Sequence, residues 1–496
     1  MEEKSDILFN RACYTPGLTA ADLLVTIQKR SMILLWRCSM ANNDSLLNNS
    51  IIKGLVRFAI PVMLSMILQI LYSATDLIVV GNFATTADMS AVTISSQVMT
   101  TIMLGVSGIT TGLTVMVGQF SGAGNGKDVT RTVGTSFIFY VLLSVGLTLL
   151  FTSLSGTVVT AMKTPPEAVA AAKSYLFICS LGIVFIVGYN AISSIYRGIG
   201  DSKTPLIFVG IACAVNIALD LLFIGGFGMG AAGAALATVI AQAVSLAFSI
   251  GFLIKKGIGF RFERDDFRLR RRYAGKMLRL GLPISLQEIL ISLSFLLITA
   301  VVNKMGLVSS AAVGTVEKLI GFLMMPTMAI SVAVATMSAH NFGAGRHDRS
   351  VRCLWTGIVI SLAIGCVACA FCWLYGTALT SLFSRNPAVI EEASLYLKPY
   401  SLDCVAVALV FNFNAFFTSC NKSLFSMAHS LLTTFLIRVP FVIVVGGMAG
   451  ATLFTMGFAA PLSSLGSLII CFIYFSRLVR KLRADAAHSG EADMPI

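Results

Sequence analysis

The hydrophobic residues of this chain form long, almost uninterrupted runs, and most polar and basic residues lie between them. A helix of about 20 apolar residues spans a bilayer, and twelve runs reach that length. The pattern therefore predicts an all-α polytopic membrane protein with twelve transmembrane helices. The predicted spans are 54–81, 90–119, 131–155, 168–198, 205–225, 230–254, 277–302, 312–338, 351–377, 388–419, 423–446 and 450–476.

The two halves of the chain repeat one another at a spacing of 221 or 222 residues. Pro61 is matched by Pro283, Gly122-Ala-Gly124 by Gly343-Ala-Gly345, and Tyr175 by Tyr396. Each half holds six spans, an even number, so both halves have the same orientation and an axis along the membrane normal relates them. We expect two pseudo-symmetric six-helix bundles. The predicted segments are an N-terminal extension (1–50), a first lobe (51–254), a basic linker (255–276), a second lobe (277–476) and a tail (477–496).

Composition excludes most other classes of protein. Of the 496 residues, 56% are hydrophobic and 12% are charged, against about 25% charged in soluble domains. A soluble enzyme is therefore not expected, and we predict no catalytic residues. The net charge of +13 comes from basic residues in loops on one side, the positive-inside pattern. It indicates a multi-pass protein of the cytoplasmic (inner) membrane with both termini in the cytoplasm, rather than a nucleic-acid-binding protein.

The first residues differ in composition from the rest of the chain. Residues 1–39 have mixed polarity and lack the small-residue cleavage site of a signal peptide. Met40 precedes a short polar stretch that is typical of a cytoplasmic start. We therefore interpret 1–39 as an upstream extension that is not part of the native protein.

Two carboxylates interrupt the apolar runs of the first half. Asp76 lies well inside the first run, and Asn216-x-x-x-Asp220 lies inside the fifth. An ionisable residue within a membrane span costs roughly 2.5–3.5 kcal/mol and usually serves a function. Asn216 and Asp220 are four residues apart and share a helix face. We expect Asp76 and Asp220 to bind a proton, Na⁺ or a cationic substrate.

Other polar residues of the first half are candidates for the same site. Asn190 and Thr238 lie in neighbouring spans, and Tyr175 and Ser193 could also contribute. The alternative is that these side chains make ordinary interhelical hydrogen bonds, worth about 0.6 kcal/mol each. For Asn190 and Thr238 taken alone, that structural role is the preferred interpretation.

The second half has its own acidic residues. Asp403, one turn from Tyr400, is the main candidate for a second-lobe site, and Glu288 is a further one that could simply be interfacial. Glu317 is expected near a helix end. Arg438 precedes Pro440 and is interpreted as a residue at a kink near a span end, with its side chain extended to the membrane surface.

Together these residues resemble the multidrug and toxic compound extrusion (MATE) family. The resemblance covers about 50–480. It depends on Pro61, Asp76 and Gly81 in the first run, on the two Gly-Ala-Gly segments, on Arg197-Gly-x-Gly-Asp201-x-Lys203-Thr-Pro205, and on Asn216-x-x-x-Asp220. It implies a V-shaped pair of six-helix bundles. In the family these bundles export cationic or amphiphilic compounds against an influx of H⁺ or Na⁺.

The resemblance also implies roles for particular residues. The N-lobe coupling site of the family corresponds to Asp76, Asn190, Asn216, Asp220 and Thr238, with Tyr175 nearby, and its first-helix proline corresponds to Pro61. Some members use a Glu and an Asp in the seventh and tenth helices. Glu288 and Asp403 lie in those helices at offsets that depart from that pattern, so N-lobe coupling is favoured.

The expected function is cation-coupled efflux of small molecules by a monomer in the lipid bilayer, with no cofactor except H⁺ or Na⁺. Asp76 and Asp220 are then also the candidate Na⁺ ligands. Two alternatives remain: a lipid-linked sugar or oligosaccharide flippase of the same MOP superfamily, and a receptor or channel that does not transport against an ion gradient. Twelve spans and acidic interior residues favour the efflux transporter over the flippase.

Overall fold

The computed structural model describes residues 46–48, 50–260, 262–448 and 450–488. The interpretation of residues 1–39 lies outside these ranges. Within them, the regular secondary structure is helical. Ten helices have the length and hydropathy of a membrane span, and two bent helix pairs bring the number of spans to twelve. The prediction of an all-α protein with twelve transmembrane helices is confirmed.

Six spans form the first half of the molecule, which we call the N-lobe. Their bounds are α1 Ile51–Phe83, α2 Thr86–Gly122, α3 Gly126–Ala161, α4 Pro166–Leu181 with Ile183–Gly198, α5 Lys203–Gly226 and α6 Gly230–Lys256.

The other six spans form the C-lobe. They are α7 Arg271–Met305, α8 Leu307–Gly343, α9 His347–Ser381, α10 Pro387–Ser401 with Asp403–Ser419, α11 Ser423–Gly446 and α12 Leu453–Leu482. The helix α7 includes the last residues of the predicted linker, and the final helix extends to His488 in the predicted tail.

Two spans that the sequence predicted as continuous are bent. The helix α4 breaks at Gly182 and α10 at Leu402, each by 46°. Helices usually bend at glycine or proline. Gly182 is itself the break in α4, and Pro399 lies three residues before the break in α10. The sequence predicted 168–198 and 388–419 as single spans long enough to bend, and the structure shows where each one bends.

The fifth span of each lobe contains a widened turn. In α5 the π-helical segment is Leu221–Gly226 and directly follows Asp220; in α11 it is Thr434–Arg438 and ends on the arginine. Single π turns often occur at functional positions of helices. Both polar centres described below include one of these two residues.

The two lobes meet at one face of the molecule, which we call the basic face. It carries the loops 123–125 and 344–346, and its basic residues include Lys127, Arg131, Lys276 and Arg346. Leu55, Phe58 and Val62 near the start of α1 pack against the second half of α8. The second half of α2 contacts α7 and the end of α8.

Close helix crossings at this face require glycine. A Cβ on Gly122 would lie 2.0 Å from the carbonyl oxygen of His340, and a Cβ on Gly343 would lie 1.9 Å from that of Gln119. The spacing of 221 relates Gln119 to His340 and Gly122 to Gly343. The crossing of α2 and α8 is thus reciprocal, and its two halves follow the internal repeat.

Hydrogen bonds add to the contact between the lobes. The amide nitrogen of the Gln119 side chain donates to the Ser419 carbonyl at 2.7 Å and to Asn421 Oδ1 at 3.1 Å, while Lys276 Nζ donates to Gln119 Oε1 at 2.9 Å. Asp76 lies 14 residues beyond Val62, about 21 Å further along α1. Asp76 is therefore far from the face where the lobes meet.

Candidate functional site

Two helices of the N-lobe bring the predicted carboxylates together. Asp76 on α1 is 6% exposed, and Asn216 and Asp220 on α5 are fully buried. Asn216 Nδ2 donates to Asp76 Oδ1 at 3.4 Å. The carboxyl groups of Asp76 and Asp220 lie within hydrogen-bonding reach of each other. The site forms because α1 packs along α5, and because the spacing of four residues places Asn216 and Asp220 on the same face.

The oxygen atoms of this pair are short of hydrogen-bond donors. Among the described residues, both Asp220 oxygens and Asn216 Oδ1 are buried without a hydrogen-bond donor, apart from the neighbouring carboxyl group. Buried polar atoms are normally paired, and a native exception often indicates a site for an ion or a water molecule. Carboxylate and amide oxygens suit both a shared proton and Na⁺, so the residues present fit either coupling ion.

Hydroxyl groups surround the pair. Thr238 on α6 lies beside Asp76, and Tyr72, one turn before Asp76 on α1, lies beside Thr238. Tyr175 is buried, and its hydroxyl lies 3.2 Å from Ser96 Oγ on α2. These groups separate the carboxylates from the apolar core of the lobe and leave them in a polar centre, which we call the N-lobe centre.

Three predicted site residues lie away from the carboxylates. The Asn190 side chain donates to the Ile186 carbonyl of its own helix at 2.8 Å. Ser193 is buried beside Tyr189. Pro61 lies 15 residues before Asp76, about four turns, within a helix that remains continuous from Ile51 to Phe83. Of the predicted set, the structure therefore gathers Asp76, Asn216, Asp220 and Thr238, with Tyr175 at the edge.

The C-lobe has a polar centre of different composition, which we call the C-lobe centre. Arg438 on α11 is half-buried, and its Nη2 donates to the Tyr400 hydroxyl at 2.9 Å. The guanidinium carbon lies 4.2 Å from the ring centre of Phe295 on α7. Its charge acts on Glu317 of α8 and Asp403 of α10, although neither carboxylate is within 4 Å of it. One Asp403 oxygen is buried without a partner among the described residues.

The C-lobe centre corrects two expectations. Arg438 is the sixteenth of 24 residues in α11 and contacts aromatic rings of other helices, so it does not extend to the membrane surface from a span end. Glu317 lies ten residues beyond the start of α8, about 15 Å along the helix, and is not near its end. Glu317 was misplaced because α8 begins at Leu307, before the apolar run used to define it. The bounds of α11 agree with the predicted span 423–446, and Arg438 was misplaced because the nearby Pro440 was interpreted as a kink near the span end.

Glu288 stands apart from this centre. It is half-buried on α7, and among the described residues no hydrogen bond or ion pair involves its carboxylate. Glu288, Tyr400 and Asp403 were predicted as a second-lobe set, and only Tyr400 and Asp403 lie around Arg438.

Sequence reasoning missed Tyr72 and undervalued Arg438. Tyr72 could have been found, since residues four apart on a helix share a face and Asp76 was already identified. Arg438 could have been found through the internal repeat, because a shift of 222 residues places it on Asn216. The nearby Pro440 directed attention to a kink instead.

The family model described as MatE matches this chain twice, over residues 61–222 and 283–444. The chain belongs to the MatE family. The two matched segments are 222 residues apart, which is the spacing of the repeat found in the sequence. Members of the MatE family are transporters rather than enzymes, and the multi-pass helical structure agrees with that membership.

Curated MatE relatives align along most of the chain. A probable multidrug resistance protein, YpnP of Bacillus subtilis, is 28% identical over 427 residues, covering 86% of this chain and 95% of the relative. The probable multidrug resistance protein NorM of Thermotoga maritima is 27% identical over 402 residues, covering 78% and 84%. The alignments thus include most of the length of both relatives.

Solved structures show that the MatE fold is shared. A MATE transporter in a bent conformation superposes with a TM-score of 0.85 at 22% identity, covering 90% of this chain and 99% of that one. A multidrug resistance MATE transporter of the MOP superfamily in an outward-facing conformation gives a TM-score of 0.82, covering 89% and 98%. The expected V-shaped pair of six-helix bundles is confirmed.

Proposed function

We propose that this MatE protein is a cation-coupled antiporter that exports cationic or amphiphilic small molecules. The observation that carries the proposal is the meeting of Asp76 and Asp220, two buried carboxyl groups on different helices, without a basic residue within ion-pair distance among the described residues. Two adjacent carboxylates repel each other unless a cation is bound between them. Names of relatives, such as the multidrug export protein MepA of Staphylococcus saprophyticus, support the export of several drugs.

The arrangement of the lobes supports the direction of transport. If the basic face lies in the cytoplasm, as the positive-inside pattern predicts, then the lobes are joined on the inside and the N-lobe centre lies toward the outside. In this state a proton or Na⁺ from outside reaches Asp76 and Asp220. Neutralisation of the pair removes the attraction for a cationic substrate, which is released.

The return step reverses the charge. When the lobes separate at the basic face and close at the other, the coupling ion leaves to the cytoplasm and the restored negative charge attracts the next cationic substrate. One charge moving through 100 mV contributes about 2.3 kcal/mol. That energy corresponds to roughly fifty-fold accumulation, since 1.4 kcal/mol is a factor of ten.

Efflux from vesicles tests the proposal. The purified protein is reconstituted into liposomes loaded with ethidium, a fluorescent organic cation, and a pH gradient or a Na⁺ gradient is imposed separately. We expect ethidium to move against the inward gradient of one of these ions and to stop when that gradient is dissipated. Flux that ignores both gradients would contradict the proposal and favour a channel or a flippase.

A further inference from the structure

The C-lobe centre contains a cationic side chain where the N-lobe centre has none. The Arg438 guanidinium is held in place from two sides, by the hydrogen bond to Tyr400 at 2.9 Å and by the Phe295 ring at 4.2 Å. A cation over an aromatic face is stabilised by the ring's quadrupole. These two contacts therefore hold the guanidinium inside the lobe, where it does not extend into solvent.

The internal repeat shows which residue of the N-lobe corresponds to Arg438. The two family-model segments are related by 222 residues, and that shift places Arg438 on Asn216. The shift of 221 places Tyr396, which packs against Tyr400 with ring centres 5.4 Å apart, on Tyr175. At the spacing of the family-model segments, Arg438 thus corresponds to Asn216, the amide beside the carboxyl pair of the N-lobe centre.

The surroundings of Arg438 are acidic but not in direct contact with it. Glu317 from α8 and Asp403 from α10 feel its charge, and Asp403 also lies beside Ser464 of α12. The Nε atom of Arg438 and one Asp403 oxygen are both buried without a partner among the described residues. The guanidinium therefore attracts both carboxylates electrostatically at longer range and does not form a close ion pair with either of them.

We propose that Arg438 is a built-in counter-cation of the C-lobe: it takes the place of a mobile cation beside Glu317 and Asp403, so that this lobe binds no coupling ion. The inference rests on the proposed function, because it assigns ion coupling to the N-lobe centre alone. It makes Arg438 a positioning residue that determines where the coupling ion binds.

Chemical labelling tests this without depending on transport. Dicyclohexylcarbodiimide modifies protonated carboxyl groups in apolar surroundings, and peptide mass spectrometry locates the modified residue. The wild-type protein in lipid nanodiscs should be labelled at Asp76 or Asp220 and not at Glu317 or Asp403. Arg438→Gln should raise labelling of Glu317 or Asp403 at least tenfold, and Arg438→Lys should restore the wild-type pattern because it keeps the charge.

Two controls separate charge from folding and access. Lys304→Gln removes one positive charge from an exposed position and should leave the pattern unchanged. Glu288, half-buried in the same lobe without a cation at ion-pair distance, reports whether the reagent reaches the C-lobe and should be labelled in every variant. Equal labelling of Asp403 and Glu288 in the wild type would overturn the proposal, whether or not Arg438→Gln folds.

A transport measurement completes the test. Asp403→Asn should retain at least half of the gradient-driven ethidium export, because the C-lobe binds no coupling ion. If well-folded Asp403→Asn lost ion-driven ethidium export, the proposal that Arg438 is a built-in counter-cation would be overturned. If the wild type showed no ion-driven export at all, the proposed function would fail while the labelling pattern would still decide the role of Arg438.

Discussion

The two lobes of this transporter share a backbone plan but differ in the charge at their centres. The N-lobe centre has two buried carboxyl groups and an amide, Asp76, Asp220 and Asn216. The C-lobe centre also has two carboxylates, but Arg438 lies among them at the position that the repeat assigns to Asn216. Under the proposed function, the N-lobe centre binds a cation from solution, whereas the C-lobe centre already contains a cationic side chain.

The difference teaches that pseudo-symmetry in structure does not require symmetry in function. The repeat supplies a polar centre in each lobe, but the residues differ at several positions: a shift of 222 places Asp76 on Ile298 and Asp220 on Val442. The C-lobe carboxylates come from α8 and α10 instead, and Arg438 corresponds to Asn216. Arginine is suited to the role of a counter-cation because it remains charged in proteins and makes several directed hydrogen bonds.

The largest expected effect comes from removing one N-lobe carboxylate. Asp76→Asn should abolish ion-driven ethidium export, because a single carboxyl group beside an amide no longer forces the site to bind a cation. The loss should approach the roughly fifty-fold accumulation available from 100 mV, as measured in loaded proteoliposomes.

The matched variant in the other lobe sharpens this result. Asp403→Asn changes a carboxylate of the C-lobe centre, near Arg438, and should leave most of the export intact. Full export in Asp76→Asn, with folding verified by size-exclusion chromatography, would refute the assignment of the N-lobe centre.

The second prediction concerns the contact in which the lobes are alike. Gly122→Ala and Gly343→Ala each place a methyl group about 2 Å from a carbonyl oxygen of the other lobe, and overpacking of this kind costs roughly 1–3 kcal/mol. Both should weaken the contact at the basic face to a similar extent. Spin labels on α2 and α8 should report a longer distance between the lobes.

The control for this pair is Gly146→Ala on α3, where a Cβ meets no atom within 4 Å. It should leave the distance unchanged. A large effect at one of the two glycines and none at the other would show that the reciprocal crossing does not act as a symmetric contact.

A smaller change is expected from the residue that distinguishes the lobes. Arg438→Gln leaves Glu317 and Asp403 without their cation and should lower stability by about 1–3 kcal/mol. This is less than the 3–5 kcal/mol for breaking a fully buried pair, because the side chain is half-buried. Thermal unfolding in nanodiscs measures the change, and the added Asp403→Asn should recover part of it. No recovery would mean that Arg438 acts only through packing.

The smallest expected effects compare two asparagines of the N-lobe. Asn216→Ala removes the donor to Asp76 and should cost about 1–3 kcal/mol, the penalty for leaving a buried acceptor unpaired. Asn190→Ala removes a bond within one helix and should cost only about 0.6 kcal/mol. Equal shifts in the unfolding temperature would contradict the separation of Asn190 from the carboxyl pair.

Much of the fold was predictable because hydropathy and the repeat are local properties of the sequence. Twelve apolar runs predicted twelve spans, and polar residues inside two of them pointed to Asp76 and Asp220. The bends at Gly182 and Leu402 were missed because both lie inside apolar runs, where hydropathy has no feature that marks a break.

The parts of the site that were missed depend on contacts between distant helices. Arg438 was interpreted from its neighbour Pro440, whereas its role depends on Tyr400 and Phe295, which lie on other helices. Similarly, Gly122 and Gly343 were recognised as equivalent positions in the repeat, but no sequence pattern indicated that each packs against a carbonyl beside the other.

That crossing of α2 and α8 has a consequence for how such a protein can diversify. The closest approach there is made by main-chain atoms, so the tightness of closure is independent of most side chains that line the space between the lobes. The side chains that line the space between the lobes are therefore free to vary. A change in the compounds that the protein binds need not alter the contact between α2 and α8 that closes the lobes together.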